Sequence, residues 1–448
     1  MREWAPPAAV TVVVTAAYVV YGAWQWSQLT VKSWDLAIFT QAVQRYATFE
    51  APIVAVKGDG FNLLGDHFHP LLAVLGPVFA VFPHAFTLVV VQAACFGIAA
   101  GVFSRAAARQ LGPVIGVLLG LAFGFAWALQ YAAEAQFHEV ALAVPLVTLS
   151  LVAVLESRWL PAALWAAPLV FVKEDLGLTV VAIGVLIAIR SRRPLGAWLV
   201  VWGLSWFALA TLVILPLLNP NGAWAYGGSA NPVSVFADPA ALFDPSKGHT
   251  LLLILAVTAG LVVRSPFALV LVPTLAWRFL STNHGYWGPS WHYSAVLIPV
   301  AFVALLDAVR LLRASRRRWA RGYARVAPVV AIVVAALLLP GLPLSTVLSA
   351  DAWVKPQRAD AAAAVLDRIP AGATVESDIG LMTYLVDDHE VYWLGNDNPA
   401  PDCILIDRRG GGTPADWGEV LAVATRLHPE TPYAVEYDVD DYQLACRV

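Results

Sequence analysis

The sequence predicts an all-α polytopic membrane protein with a small α/β domain outside the membrane at its C-terminal end. Three observations carry that reading. The 448-residue chain is 59% hydrophobic and 13% charged, against about 25% charged in a soluble globular protein. Its apolar residues form blocks long enough to cross a bilayer, which takes about 20 residues. From Asp351 onward those blocks stop and charges become frequent.

About eleven spans are predicted, at 8–27, 85–104, 112–130, 138–156, 159–172, 175–190, 195–217, 249–264, 266–281, 290–312 and 326–347. The run after "MREWAPP" reads as an uncleaved first helix, because it ends in "YGAWQWSQ" without a small-residue cleavage site. The fifth and sixth spans are short and read equally as one broken pair. "PLLAVLGPVFAVFP" at 70–83 holds three prolines in 14 residues and suits a re-entrant piece better than a span. The domains expected are a transmembrane part over 1–350, with a first external loop at 28–84, and the external part over 351–448.

Lysine and arginine orient the spans. With the N-terminus inside, Arg2, Arg105, Arg109, Arg158, Arg190, Arg192, Arg193, Arg264, Arg310, Arg313, Arg316, Arg317, Arg318, Arg321 and Arg325 are cytoplasmic. Lys32, Arg45, Lys57, Lys173, Lys247 and Arg278 are external, a split through residue 347 of fifteen to six. An odd span count then puts the C-terminus outside. All nine histidines sort to the outer side, and so do Asp35, Asp66, Asp238, Glu134, Glu139, Glu174 and Asp175. The excess of arginine over lysine, 23 to 5, fits a GC-rich bacterial coding sequence.

In the tail, "PQRADAAAAVLDRIP" and "WGEVLAVATRL" read as helices, and "ATVESD", "CILIDRR" and "YAVEYDV" as strands. Cys403 and Cys446 both fall in strand-like segments of a part expected in an oxidising compartment, so a disulfide is open to them. Cys95 lies in an apolar run as a small core residue.

Several polar groups stand out against this apolar chain. "SWDLAIFTQAV" sets Asp35 at the start of an amphipathic helix, with Ser33 or Asp35 as its cap. Beside Trp34, Leu36, Ile38 and Phe39, the same carboxylate is partly desolvated, which raises its basicity and suits a general base. "GDHFHP" holds Asp66, His67 and His69. Extended, the segment puts both imidazoles on one face; helical, it brings Asp66 and His69 together. Either pair can hold a divalent metal or a phosphate, although a metal takes three or four ligands and the segment supplies at most three. In "EAQFHEV", Glu134 and His138 are one helical turn apart, with Glu139 beside them. "VKEDLGL" places Lys173, Glu174 and Asp175 between two short spans, where charges must face a cavity or pair. "WRFLSTNHGYWGPSWHYS" adds Arg278, His284 and His292 to an aromatic belt.

No P-loop, GxGxxG, G-x-S-x-G or HExxH is present, which argues against ATP-driven transport and the common hydrolase chemistries. The dispersed basic residues leave no nucleic-acid footprint.

"WDLAIFTQAV", "GDHFHPLLAVLGPVFAVFP", "FHEVALAVPL" and "VKEDLGL" together resemble a bacterial family of predicted integral membrane proteins, a domain of unknown function grouped near the GT-C superfamily of membrane glycosyltransferases. The resemblance covers roughly residues 10–310 and, more loosely, the tail. It implies a GT-C-like fold and transfer of a sugar from a polyprenyl-phosphate donor on the outer face of the cytoplasmic membrane. It matches Asp35 to the first-loop carboxylate that acts as base or holds the acceptor, and Asp66 to a second acidic position. GT-C enzymes often carry a tandem acidic pair there, where this chain has Asp66-His67. Lys173 and Arg278 are the cations available to a lipid phosphate. A transporter or flippase with a polar outer vestibule, or an envelope scaffold, would use the same charges without chemistry. For a transporter the sequence offers no midplane relay.

Overall fold

The computed structural model describes residues 5–31, 34–228 and 243–448. Arg2, Lys32, Ser33 and Asp238, used above, lie outside the described residues. The chain forms two compact units: Met1–Val19, Asp66–Leu71 and Val90–Thr346 make one, and Val20–Gly65, Leu72–Val89 and Val347–Val448 the other. Val347–Val448, close to the expected boundary at 350, falls in the second unit. Most of the first external loop groups with the tail, and only Asp66–Leu71, which contains "DHFHP", belongs to the membrane unit.

Six helices of the described residues are long and apolar enough to cross a membrane: Ala5–Ser27, Phe86–Leu111, Pro113–Glu134, Pro194–Leu218, His292–Arg313 and Arg318–Gly341. Shorter apolar helices cover Pro70–Val81, Val140–Leu155, Trp159–Phe171, Leu176–Ser191 and Pro266–Leu280. Six of the eleven predicted spans coincide with full-length helices, and four with the shorter ones. The 249–264 run is broken into a helix over Pro245–Val257 and a 3-10 turn over Leu261–Arg264, separated by Ala259 and Gly260 in the left-handed region.

In the membrane unit, packing follows small residues. Gly177 and Gly184 on one helix face Gly203 and Gly196 on the next. A Cβ at Gly203 would sit 2.5 Å from the Gly177 carbonyl oxygen, so the close approach admits only glycine. Phe103 and Phe123 stack at 5.2 Å, and Phe302 meets each edge-on at 5.5 Å. Asp307, fully buried on the Leu297–Arg313 helix, pairs with Arg190 and accepts a 2.7 Å hydrogen bond from Ser265. An acid inside a span survives by this kind of pairing.

The other unit is built on a five-stranded sheet: β1 Thr374–Ser377, β2 Glu390–Trp393, β3 Cys403–Asp407, β4 Tyr433–Val439 and β5 Tyr442–Arg447. Its order is β2-β1-β3-β5-β4, with β1 parallel to β2 and β3 and the other pairs antiparallel. Cys403 and Cys446 stand opposite each other on β3 and β5 and form a disulfide. β4 and β5 join through Asp440 and Asp441, both at positive φ, as a tight hairpin requires. The first-loop helix Trp34–Ala47 belongs here. Gln41 donates to the Val391 carbonyl at 3.1 Å and accepts from the Val56 N–H at 3.0 Å, Gln44 donates to the Val386 carbonyl at 2.7 Å, and Trp34 meets Trp393 edge-on at 4.7 Å.

Candidate functional site

Two carboxylates organise the polar cluster of the membrane unit. Glu174 lies in the turn between the apolar helices Trp159–Phe171 and Leu176–Ser191 and is 2% exposed. One of its oxygens meets His67 Nδ1 at 2.7 Å, and the other accepts the Phe68 N–H at 3.0 Å. The middle of "GDHFHP", Asp66 to His69, is therefore neither strand nor helix. It is an irregular turn held by one buried carboxylate, which is why neither periodicity applies. Beside it, Lys173 Nζ meets Glu139 Oε1 at 2.8 Å, with Glu139 buried.

These pairs set the charges. Burial pushes both glutamates toward the neutral form, but opposing charges win. Lys173 leads for Glu139 and His67 for Glu174, and both carboxyls are held down to about 2. His67 is lowered by burial and by Lys173, yet Glu174 outweighs them and its net shift is upward. Lys173 stays well above its ordinary value despite burial, chiefly through Glu139. Burial lowers His69 to about 4, against the opposing pull of Glu139. Asp175 is raised by burial to about 6, and its Oδ1 makes no hydrogen bond to a described residue.

Further groups complete the cluster. Tyr226 stacks on His67 with ring centroids 4.4 Å apart and planes 8° from parallel, and donates to Asp66 Oδ1 at 3.3 Å. Sequence reasoning missed Tyr226; it lies just after an apolar run in "NGAWAYGG", with only its aromatic character as a signal. His138 and His292 stack at 3.5 Å, both buried. Each follows a non-glycine residue in the left-handed region, Gln136 two positions earlier and Trp291 one position earlier. Such local strain concentrates at functional sites. It also ends the Trp127–Glu134 helix, so Glu134 and His138 do not share a helical face.

Two expected members behave otherwise. Arg278 is fully buried and donates to the Tyr286 carbonyl at 2.8 Å, Ser294 Oγ at 2.8 Å and the Gly288 carbonyl at 2.7 Å. Three of its five N–H donors fix the 286–294 loop. His284 is exposed and stacks on Trp287 at 4.0 Å, where Lys247 covers the same ring at 3.8 Å. Asp35 occupies the first turn of the Trp34–Ala47 helix in the other unit. Asp66 and His67 turn to different partners, Tyr226 and Glu174. Among the described residues no three histidine, cysteine, aspartate or glutamate side chains are placed to hold a metal ion.

This architecture sets a buried polar cluster among apolar helices. Its fold is similar to that of ArnT from Cupriavidus metallidurans, a GT-C glycosyltransferase. With the ArnT structure bound to undecaprenyl phosphate the TM-score is 0.54 at 13% identity, over 98% of each chain. With the apo state it is 0.50 at 14% identity, over 98% of this chain and 97% of that one. The chain belongs to the family described as "Predicted membrane protein (DUF2079)", whose pattern matches residues 25–444. No curated protein matches the sequence.

Proposed function

We propose that this protein transfers a sugar from a polyprenyl-phosphate donor to an envelope acceptor at the outer face of the bacterial cytoplasmic membrane. The observation that carries the reading is the doubly paired cluster, His67–Glu174 beside Lys173–Glu139, within a fold shared end to end with a glycosyltransferase. A glycosyl phosphate lipid presents an anion and several hydroxyls. Lys173 has three N–H donors, of which Glu139 takes one. The remaining donors and the His67 imidazole suit the phosphate, and the carboxylates suit the hydroxyls. In the reaction the acceptor hydroxyl attacks the anomeric carbon, the bond from that carbon to the phosphate oxygen breaks, and the lipid phosphate leaves. Asp35 is the proposed base for the hydroxyl proton. An outside tail is favoured by its disulfide and by the fifteen-to-six basic split.

The test is turnover of radiolabelled polyprenyl-phosphate sugars by membranes holding equal amounts of each protein. Asp35→Asn keeps the shape of the side chain and its capacity to accept hydrogen bonds, but cannot take a proton. Turnover should fall on the order of 10²- to 10⁴-fold. Undiminished turnover removes Asp35 from the mechanism. Failure of the parent protein with every donor favours the transporter or scaffold.

A further inference from the structure

We infer that the arginine-rich hairpin at Arg310–Arg325 binds the headgroups of anionic phospholipids. The segment "RLLRASRRRWARGYAR" joins the helices Leu297–Arg313 and Arg318–Leu338 and carries seven arginines and no acid. Every one of the seven is exposed. Where they touch protein they touch neutral oxygens: Arg310 donates to the Leu155 carbonyl at 3.3 Å, Arg313 to the Gln110 carbonyl at 3.1 Å, and Arg321 to the Ser315 and Arg316 carbonyls at 2.8 and 2.9 Å. None forms an ion pair with a carboxylate among the described residues. Arg109 and Arg158 differ, since both pair with Glu156, at 3.0 and 2.8 Å.

The second observation is the pattern on the second helix. Arg318, Arg321 and Arg325 fall at i, i+3 and i+7, on one face. Trp319, Tyr323 and Val326 fall at i, i+4 and i+7 on the next face and are 66%, 38% and 52% exposed. Ala320, Ala324 and Ala327 are buried on the third. Guanidinium forks match phosphate oxygens bidentately, and an indole and a phenol beside them suit the boundary between headgroup and acyl chain. A free anion would use the arginines alone; a phospholipid uses both stripes. Uncompensated basic clusters next to a span bind anionic lipid with about 1 kcal/mol per residue, or about fivefold in affinity. The same span, His292–Arg313, carries His292 at its other end, so the lipid would fix a helix that reaches the candidate site.

The test uses the full chain in a neutral detergent, titrated with short-chain phosphatidylglycerol, short-chain phosphatidylcholine and inorganic phosphate, with bound lipid counted by native mass spectrometry. The parent protein should hold phosphatidylglycerol at least about tenfold more tightly than phosphatidylcholine. Arg316→Gln, Arg317→Gln, Arg318→Gln and Arg325→Gln, combined, should abolish that preference. The four corresponding lysine substitutions, which preserve the charge that orients the hairpin, should keep the preference with reduced affinity. If the combined glutamine variant does not insert, Arg316→Gln and Arg325→Gln singly should each weaken binding about fivefold. Equal binding of the two lipids by the parent, or a preference unchanged by the glutamines, overturns the inference. Displacement of bound lipid by equimolar inorganic phosphate also overturns it, in favour of a small-anion site.

Discussion

Asp378 and Asp407 of the tail and Glu139 and Glu174 of the membrane unit are all buried, yet they are held in different ways. In the tail, Asp378 at the end of β1 accepts from the Gly380 N–H at 2.9 Å, the Asp407 N–H at 2.8 Å and Thr413 Oγ1 at 2.7 Å. Asp407 at the end of β3 accepts from Arg358 at 2.7 Å and from the Arg409 and Gly410 N–H groups at 3.0 and 3.1 Å. A Cβ at Gly411 would fall 1.9 Å from Asp378 Oδ2, so no room is left for a ligand. These acids tie a glycine-rich loop to two strands. In the membrane unit Glu139 and Glu174 hold Lys173 and His67, much as Glu376 on β1 of the tail holds His428, but titratable atoms are left over. Asp175 Oδ1 and His292 Nδ1 there make no hydrogen bond to a described residue. Buried polar atoms left without hydrogen bonds call for an explanation, and a ligand is one. The contrast separates a lock from a site.

The largest expected effect comes from breaking a pair in the site. Lys173→Met leaves Glu139 buried beside an apolar side chain and should cost about 3–5 kcal/mol. Lys173→Met with Glu139→Leu should recover most of that stability and none of the turnover, since paired ions can be replaced by apolar residues more cheaply than split. Thermal unfolding in detergent and the transfer assay, run on both variants, measure the two halves. Recovery of turnover in the double variant would make this pair a lock as well.

The tail gives the opposite test. Replacing Cys403 and Cys446 by serine opens a cross-link with a sequence separation of 43, worth about 2–4 kcal/mol. Limited proteolysis of the 351–448 region should accelerate, while transfer per folded molecule stays unchanged.

How much of this was legible beforehand follows the same divide. Apolar runs and the basic asymmetry pointed to a membrane chain with a separate tail, and the helices and three of the strands fell where periodicity put them. β2 was missed because "EVYW" is four residues long between turns and shows no repeat. The pairing of Glu174 with "GDHFHP" joins positions over a hundred residues apart, a distance that no local pattern spans. The bonds from Arg278 to the 286–294 loop were not legible, because a lone arginine in an aromatic loop looks the same whether it awaits a phosphate or pins carbonyls. Tyr226 carried no charge to draw attention.

Acidity offers a smaller and signed contrast. His67 is raised above its ordinary value by Glu174, so the stability of that pair is complete below about pH 6.5 and fades as pH rises through the raised value. Burial raises Asp378 to about 6. Its ionisation therefore costs stability progressively as pH climbs from its ordinary value of 3.8 to about 6, and the cost is constant above. Thermal unfolding followed with pH should show both parts weakening as pH climbs toward about 6, through Asp378 in the tail and Asp175 in the membrane unit, and the membrane unit alone weakening further as pH rises past about 6.5 through the raised value of His67. Parallel profiles would mean that the two clusters do not differ as described.

The central claim is that the lipid-linked substrate meets the membrane unit at Glu174 and Lys173. Photo-crosslinking with a diazirine-bearing polyprenyl phosphate, followed by peptide mapping of the full chain in proteoliposomes, addresses it most directly. The account predicts saturable labelling of peptides carrying 66–71 and 172–175, suppressed by unlabelled polyprenyl phosphate and reduced in Lys173→Met/Glu139→Leu. Saturable labelling confined to the tail, or labelling of the membrane unit that unlabelled lipid does not suppress, would contradict it.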